Sequence, residues 1–257
     1  MDDARPLSGL RVVVTRPAAQ ADTVCRLLRA RGADVRRLPL QTIEPVRQPQ
    51  QVARLLAECR EATAWIFTSV NAVRFAAALD AGLWPPCIAV GAATAASLEA
   101  RGQVAAVPAS AFTSEGVLEL PQLQQVQGQR VLIVTGEGGR NELCAGLQAR
   151  GAEVQRAEVY RRVTLPHPPE AVAQALSDAH AVLVTSGEAL TRLQQLVTDA
   201  GRPRLLRLQL VVPSQRVVEL VRQLGFTAAP LVPDPIADAA YVQCLERWWG
   251  RASRDPA

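Results

Sequence analysis

Six short segments of the chain carry small, hydroxylated or guanidinium side chains directly after apolar, β-branched runs. They are Thr15-Arg16-Pro17, Thr68-Ser69-Val70-Asn71, Gly91-Ala92-Ala93-Thr94, Gly136-Glu137-Gly138-Gly139-Arg140, Thr185-Ser186-Gly187-Glu188 and Pro213-Ser214-Gln215-Arg216. In an open α/β sheet such turns sit at the carboxyl ends of strands, where helix N-termini offer unpaired N–H groups to an anion. Taken singly, a Ser or Thr at such a turn is more often a helix N-cap than a ligand contact. Six of them together predict a ligand cleft between domains. The glycine loop from Gly136 lacks G-x-G-x-x-G spacing and a P-loop lysine, which disfavours a dinucleotide or nucleoside triphosphate. Tyr160, one of two tyrosines, is a separate candidate: its hydroxyl can donate a proton at neutral pH, or its ring can simply pack at a domain edge.

Composition removes other chemistries. All 28 basic residues are arginine, so Schiff-base catalysis, a pyridoxal anchor and a Walker lysine are excluded. Cys25, Cys59, Cys87, Cys144 and Cys244 form no C-x-x-C pair, and His167 and His180 are isolated, so neither a metal site nor a disulfide framework is expected. No Ser/His/Asp set and no paired carboxylates stand out, which leaves positioning as the work of an enzyme built this way. The net charge of +4 and pI near 9.1 suit an anionic ligand that arginine forks in two-point contacts; codon bias explains the choice of arginine equally well. The arginines are dispersed among glutamates, and aromatics are 4%, so nucleic acid is not an expected partner. No apolar run approaches a membrane span, and the opening MDDARPLSG is acidic without an apolar core, so a cytoplasmic protein is expected.

The elements that hold these turns come from a duplication. Shifted by 119 residues without a gap, Gly9 to Arg37 lies over Gly128 to Arg156 with eleven of 29 positions identical. Each copy reads as a buried strand (RVVVT or RVLIVT), a loop, an amphipathic helix, a stopping glycine (Gly32 or Gly151) and a second strand, which requires a right-handed crossover onto a parallel sheet. WIFTSVNAV and VLVTSGEAL form a second pair, and IAVGAATAASLEARG and LVVPSQRVVELVRQLG a third. Three unit types thus occur twice, which predicts two similar α/β domains and, from order alone, tandem halves. Proline-bounded stretches after each first unit, LPLQTIEPVRQP and VYRRVTLPHPP, read as extended segments able to pair as a two-stranded bridge. Further helices are expected over residues 50 to 63, from Thr113 or Ser114, over 171 to 178, and from about 237 to 249, with Trp248 and Trp249 packing the last.

In order and spacing, VVVTRPAAQA, RARGADVRRLPLQTIEP, IFTSVNAV, AVGAATAASLEARG, TSEGVLEL, VTGEGGRNELCAGLQARGAEV and VYRRV resemble the uroporphyrinogen-III synthase family over about residues 9 to 245. The resemblance implies interleaved domains: 1–38 with 164–257, and 48–158, joined by crossing strands 39–47 and 159–163. It implies closure of linear hydroxymethylbilane, which carries eight carboxylates, to uroporphyrinogen III. Water is lost, the last ring is inverted through a spiro intermediate, and no cofactor takes part. It also implies a monomer, with the upstream hydroxymethylbilane synthase or downstream tetrapyrrole enzymes as protein partners. Carried over by position, Tyr160 matches the family tyrosine proposed to donate a proton to the departing hydroxyl, Thr94 a threonine of the G-x-x-T loop that opens at Gly91, and Ser69 and Ser186 the serines of the paired loops; Thr15, Arg16, Gly138, Arg140 and Ser214, on the remaining turns, are the further substrate-binding candidates. Two places depart from the pattern: Ser214-Gln215-Arg216-Val217 stands where many relatives have a glycine followed by threonines, and Thr135 where an arginine is frequent. A noncatalytic two-domain binder of small anions and an inactive homologue share the same architecture.

Overall fold

A computed structural model describes residues 5–109, 112–139, 141–234 and 236–252. The N-terminal copy of the duplicated unit forms β1 (Arg11–Val14), α1 (Ala18–Ala30) and β2 (Asp34–Arg37). The chain continues through β3 (Gln41–Pro45), α2 (Pro49–Glu58), β4 (Ala64–Phe67), α3 (Val70–Leu79), β5 (Cys87–Ala89), α4 (Ala92–Glu99), β6 (Ala105–Ala106), α5 (Ser114–Leu118) and a 3-10 turn at Pro121–Leu123. The second copy is β7 (Arg130–Gly136), α6 (Glu142–Ala149) and β8 (Glu153–Thr164). Then follow α7 (Pro169–Leu176), β9 (Ala181–Leu183), α8 (Gly187–Leu196), α9 (Arg202–Leu205), β10 (Gln209–Val211), α10 (Gln215–Gln223) and α11 (Asp238–Ala252). Two compact units result: one holds the chain up to Thr42 and from Val163 onward, the other Ile43–Arg162.

The first unit is discontinuous because its most apolar strand needs a neighbour on both sides. In the order β10-β9-β1-β2, all parallel, β1 takes β2 on one edge and the distant β9 on the other. The two copies therefore do not fold as tandem halves. Val12 and Val14 face α1 and α11, packing with Val24, Leu28, Tyr241 and Leu245; Val13 faces the opposite layer with Val172, Leu190, Leu193 and Val221. A strand covered on both faces explains the uninterrupted valines. Each such side chain, fully buried, contributes about 1.5–3 kcal/mol.

The second unit carries the six-stranded order β3-β8-β7-β4-β5-β6, in which β8, β7, β4, β5 and β6 are parallel. Along β4, Trp65 and Phe67 pack with residues of α2, α3 and α4, while Ala64 and Ile66 pack with residues of α5 and α6. The expected two-stranded bridge is present as β3 beside β8, and both continue this sheet.

The duplication holds at the level of single hydrogen bonds. Arg11 pairs with Asp34 and Val12 with Val35 in the first copy; at an offset of 119, Arg130 pairs with Glu153 and Val131 with Val154 in the second. Gly32 (φ 96°) and Gly151 (φ 79°) both end their helices in the left-handed region that other residues avoid. The following N–H groups, of Ala33 and Ala152, donate to Leu28 O and Leu147 O. Some boundaries move: α2 stops at Glu58 rather than 63, α7 starts at Pro169, α11 runs on to Ala252, and Thr113, not Ser114, caps α5 by accepting from Gly116 N–H. Among the described residues no helix is long and apolar enough to cross a membrane.

Candidate functional site

In the second unit, the carboxyl ends of β4, β5 and β7 share one sheet edge because the strands are parallel, and Tyr160 lies where β8 passes that edge. Its placement depends on an irregularity. Thr135 pairs with Glu158, but the next residue, Gly136, pairs with Tyr160, so Val159 is an extra residue in β8. A bulge of this kind re-aims the side chains beyond it. Val159 and Tyr160 are consequently buried in the same core cluster, although neighbours on a regular strand would face opposite ways.

The Tyr160 ring is 2% exposed and stacks on Phe75 with centroids 5.7 Å apart. Its other neighbour is Gly136, which has no side chain to obstruct it: a Cβ built there would lie 2.5 Å from Tyr160 Cζ. The hydroxyl lies 3.2 Å from Ser69 Oγ and accepts from Arg162 Nη2, also at 3.2 Å. Ser69 is the N-cap of α3, its Oγ accepting from Ala72 N–H at 3.1 Å, so its capping and tyrosine-contacting roles coexist. Gly91 caps α4 with extended backbone, and Thr94, 5% exposed, sits one turn into that helix. Gly138 (φ 67°) makes the turn after β7, where Gly139 N–H donates to Gly136 O. Arg140 lies outside the described residues.

The first unit repeats part of this arrangement. Ser186 caps α8, its Oγ accepting from Ala189 N–H at 3.1 Å, the counterpart of Ser69 in bond and length. Ser214 caps α10 by backbone conformation, with no side-chain bond to the helix. Thr15 is 1% exposed and its hydroxyl donates to Leu183 O at 2.9 Å, so its side chain is spent joining β1 to β9. Arg16 also has its partners: Nη1 lies 2.5 Å from Asp238 Oδ1, and the guanidinium stands 4.9 Å from the centroid of the Tyr241 ring. Both contacts tie the β1–α1 turn to α11. Tyr241, the second tyrosine, is 1% exposed; burial pushes its hydroxyl above the ordinary phenol range, against the pull of Arg16.

An open cavity of about 750 Å³ in the second unit is lined by Arg47, Arg54 and Arg156 together with Glu58, Glu137 and Glu158. Its charges balance, so it offers an anion no net attraction. Among the described residues, Tyr160 with Ser69 and Arg162 forms a hydrogen-bonded set able to do chemistry: a phenolic hydroxyl whose oxygen is already served by a cation.

A family model described as uroporphyrinogen-III synthase HemD matches residues 22–239. The chain belongs to the uroporphyrinogen-III synthase family. It is similar to the uroporphyrinogen-III synthase of Escherichia coli K12, 34% identical over 227 residues that cover 84% of this chain and 92% of the relative. It is also similar to that of Synechococcus elongatus, 32% identical over 76% of this chain and 77% of the relative. Two solved structures share the fold: a mutant uroporphyrinogen III synthase from Thermus thermophilus (TM-score 0.66, 20% identical, covering 93% of this chain and 98% of that one) and the Helicobacter pylori enzyme (TM-score 0.59, 13% identical, 93% and 99%).

Within the uroporphyrinogen-III synthase family pattern, the departure at Thr135 has a local account. Thr135 is 5% exposed, and its Oγ1 lies 3.0 Å from Thr68 Oγ1, which donates to it and links β7 to the β4 turn next to Ser69. Val217 is accounted for by burial in the core of the first unit, in the same cluster as Val218 and Val221; nothing in the structure accounts for Gln215 and Arg216 in place of threonines. Arg162 and Asp238 are not among the candidates that the sequence offers. The spacing of Arg162, two residues after Tyr160, is a usable signal for a shared strand face; Asp238, 222 residues from Arg16, leaves no local signal.

Proposed function

We propose that this enzyme closes linear hydroxymethylbilane to uroporphyrinogen III, with loss of water and inversion of ring D through a spiro intermediate, without a cofactor. Family membership supports the reaction. The hydrogen-bonded Tyr160 hydroxyl at the active edge of the second sheet is the observation that supports the residue.

The first step needs a proton at the departing hydroxyl. Tyr160 O–H supplies it; the C–O bond breaks with its electrons on oxygen, water leaves, and the pyrrole nitrogen lone pair fills the gap to give an azafulvene-type cation. Ring D attacks through its substituted carbon, the spiro intermediate fragments and recloses, and the proton lost on rearomatisation returns to the Tyr160 oxygen. Because closure without inversion needs no enzyme, the protein's main task is to hold the chain in the less accessible geometry. Ser69, Ser186, Ser214, Gly91 and Thr94, at helix N-termini, are the proposed seats for acetate and propionate groups, through backbone N–H groups as much as through side chains. Within the first unit, Thr15 and Arg16 hold the β1–α1 turn in place, through Leu183 and Asp238. The enzyme is proposed to act as a cytoplasmic monomer that receives substrate from the upstream synthase.

Tyr160→Phe tests the residue assignment. The rate of isomer III formation should fall about 100-fold, within the range expected for loss of a general acid, with the fold unchanged by circular dichroism. A rate within twofold of the parent would remove Tyr160 from the mechanism.

A further inference from the structure

Two consecutive arginines on β8 are treated differently by the fold. Arg161 has its counter-ion: its Nη2 lies 2.5 Å from Glu44 Oε2 and its Nε donates to Pro45 O. Arg162 projects to the opposite face, the face of Tyr160. It is exposed, and among the described residues no carboxylate pairs with it. One of its N–H groups serves the Tyr160 hydroxyl, and its guanidinium carbon stands 5.5 Å from the centroid of that ring. A guanidinium has five donors in a planar fork, so the contact with tyrosine leaves an edge open for a carboxylate held in two-point fashion.

The hydrogen-bond arithmetic around the phenolic oxygen narrows the role. With Arg162 donating to that oxygen, two arrangements remain for the 3.2 Å contact between Tyr160 and Ser69. Either Tyr160 donates to Ser69 Oγ, which already accepts from Ala72 N–H, or Ser69 donates to Tyr160 and the tyrosine proton is directed away from both. Only the second leaves the proton free for a substrate. In that arrangement two donors face the oxygen that becomes negative when the proton leaves.

Building on the synthase reading above, we infer that Arg162 binds a carboxylate of the linear tetrapyrrole beside the departing hydroxyl, and that the same guanidinium holds the Tyr160 oxygen through the proton transfer. The Tyr160 O–H bond breaks, its proton forms water with the substrate hydroxyl, and the resulting phenolate is bound by Arg162 N–H and Ser69 O–H until the proton lost on rearomatisation restores it. One side chain thus couples recognition of an acid group to readiness of the donor, and the linear substrate is positioned by a group two residues from the tyrosine.

The test is steady-state kinetics on the full-length enzyme with freshly generated hydroxymethylbilane, for Arg162→Gln, Arg162→Lys, Tyr160→Phe and the double variant Tyr160→Phe/Arg162→Gln. Removing a charged two-point contact is expected to raise KM about 10-fold in Arg162→Gln, with kcat lowered as well, while Arg162→Lys, which keeps the charge but loses the planar fork, should fall between Arg162→Gln and the parent in both constants. In the Tyr160→Phe background, Arg162→Gln should cost no further kcat, since residues acting as a unit are not additive. Parental KM and kcat in Arg162→Gln alongside an impaired Tyr160→Phe would overturn this inference and leave the synthase reading intact. Equal impairment of the Gln and Lys variants with a lowered melting temperature would overturn it as well, by assigning Arg162 a structural role. A parent enzyme that makes only isomer I would overturn the synthase reading itself.

Discussion

Gly136 lies flat against Tyr160: a Cβ added at Gly136 would stand 2.5 Å from Cζ, 2.6 Å from Cε2 and 2.9 Å from the hydroxyl oxygen. The other side of the ring is closed by Phe75. Gly136→Ala must therefore displace the ring, and with it the hydroxyl. The expected cost is about 1–3 kcal/mol of stability, as for overpacking, with a loss of activity larger than the loss of fold at 25 °C. Activity equal to the parent would mean that the position of Tyr160 is not critical.

Ser69 and Ser186 separate capping from chemistry, because each accepts from the third residue on at 3.1 Å but only Ser69 touches the tyrosine. Ser69→Ala and Ser186→Ala should each lose about 1 kcal/mol, the usual cost of an N-cap. Ser69→Ala should in addition lower kcat, whereas Ser186→Ala should change KM alone. Thermal melts and steady-state rates on the same preparations check both halves, and equal kcat in the two variants would count against Ser69 as the tyrosine's partner.

Arg16 and Asp238 form an ion pair with side chains 14% and 28% exposed, closed over Tyr241. Between the small value of exposed pairs and the large cost of breaking buried ones, Asp238→Asn should cost about 1–2 kcal/mol. The melting temperature should fall by several degrees, with KM raised if the β1–α1 turn it holds contacts substrate. An unchanged melt would show the pair to be dispensable.

Acid should loosen the first unit in two stages. Burial, and then the neighbouring Arg11, hold the His180 imidazole below its ordinary range, while the hydrogen bond from Arg36 holds Asp178 down at about 2. Both groups have folded values below their unfolded ones, so each contribution is present above the unfolded value and lost as pH falls. The histidine contribution therefore fades below about pH 6.5 and the aspartate contribution below about pH 4, down to about 2. Asn can stand in for the His180 Nδ1 acceptor of Arg11 N–H but does not titrate. His180→Asn should flatten the fall in melting temperature between pH 7 and 5.5; an unchanged slope would contradict this account.

These residues also mark where the sequence was readable. The two copies of the β-α-β unit could be aligned because left-handed glycines and β-branched strands obey local rules, and their strand registers then agree pair by pair, Arg11 with Asp34 and Arg130 with Glu153. The six turns could be found for the same reason. What the turns do was less legible. The Thr15 hydroxyl is consumed by Leu183 and the Arg16 charge by Asp238, partners 168 and 222 residues away that no local pattern reveals. The bulge at Val159 likewise depends on β7, and without it the face taken by Tyr160 would be read wrongly.

The most direct test supplies the purified enzyme with freshly generated hydroxymethylbilane and separates the oxidised porphyrin isomers by chromatography. Isomer III should form well above the enzyme-free control. Isomer I alone, formed at the spontaneous rate, would contradict it and leave a polycarboxylate binder or an inactive member of the family.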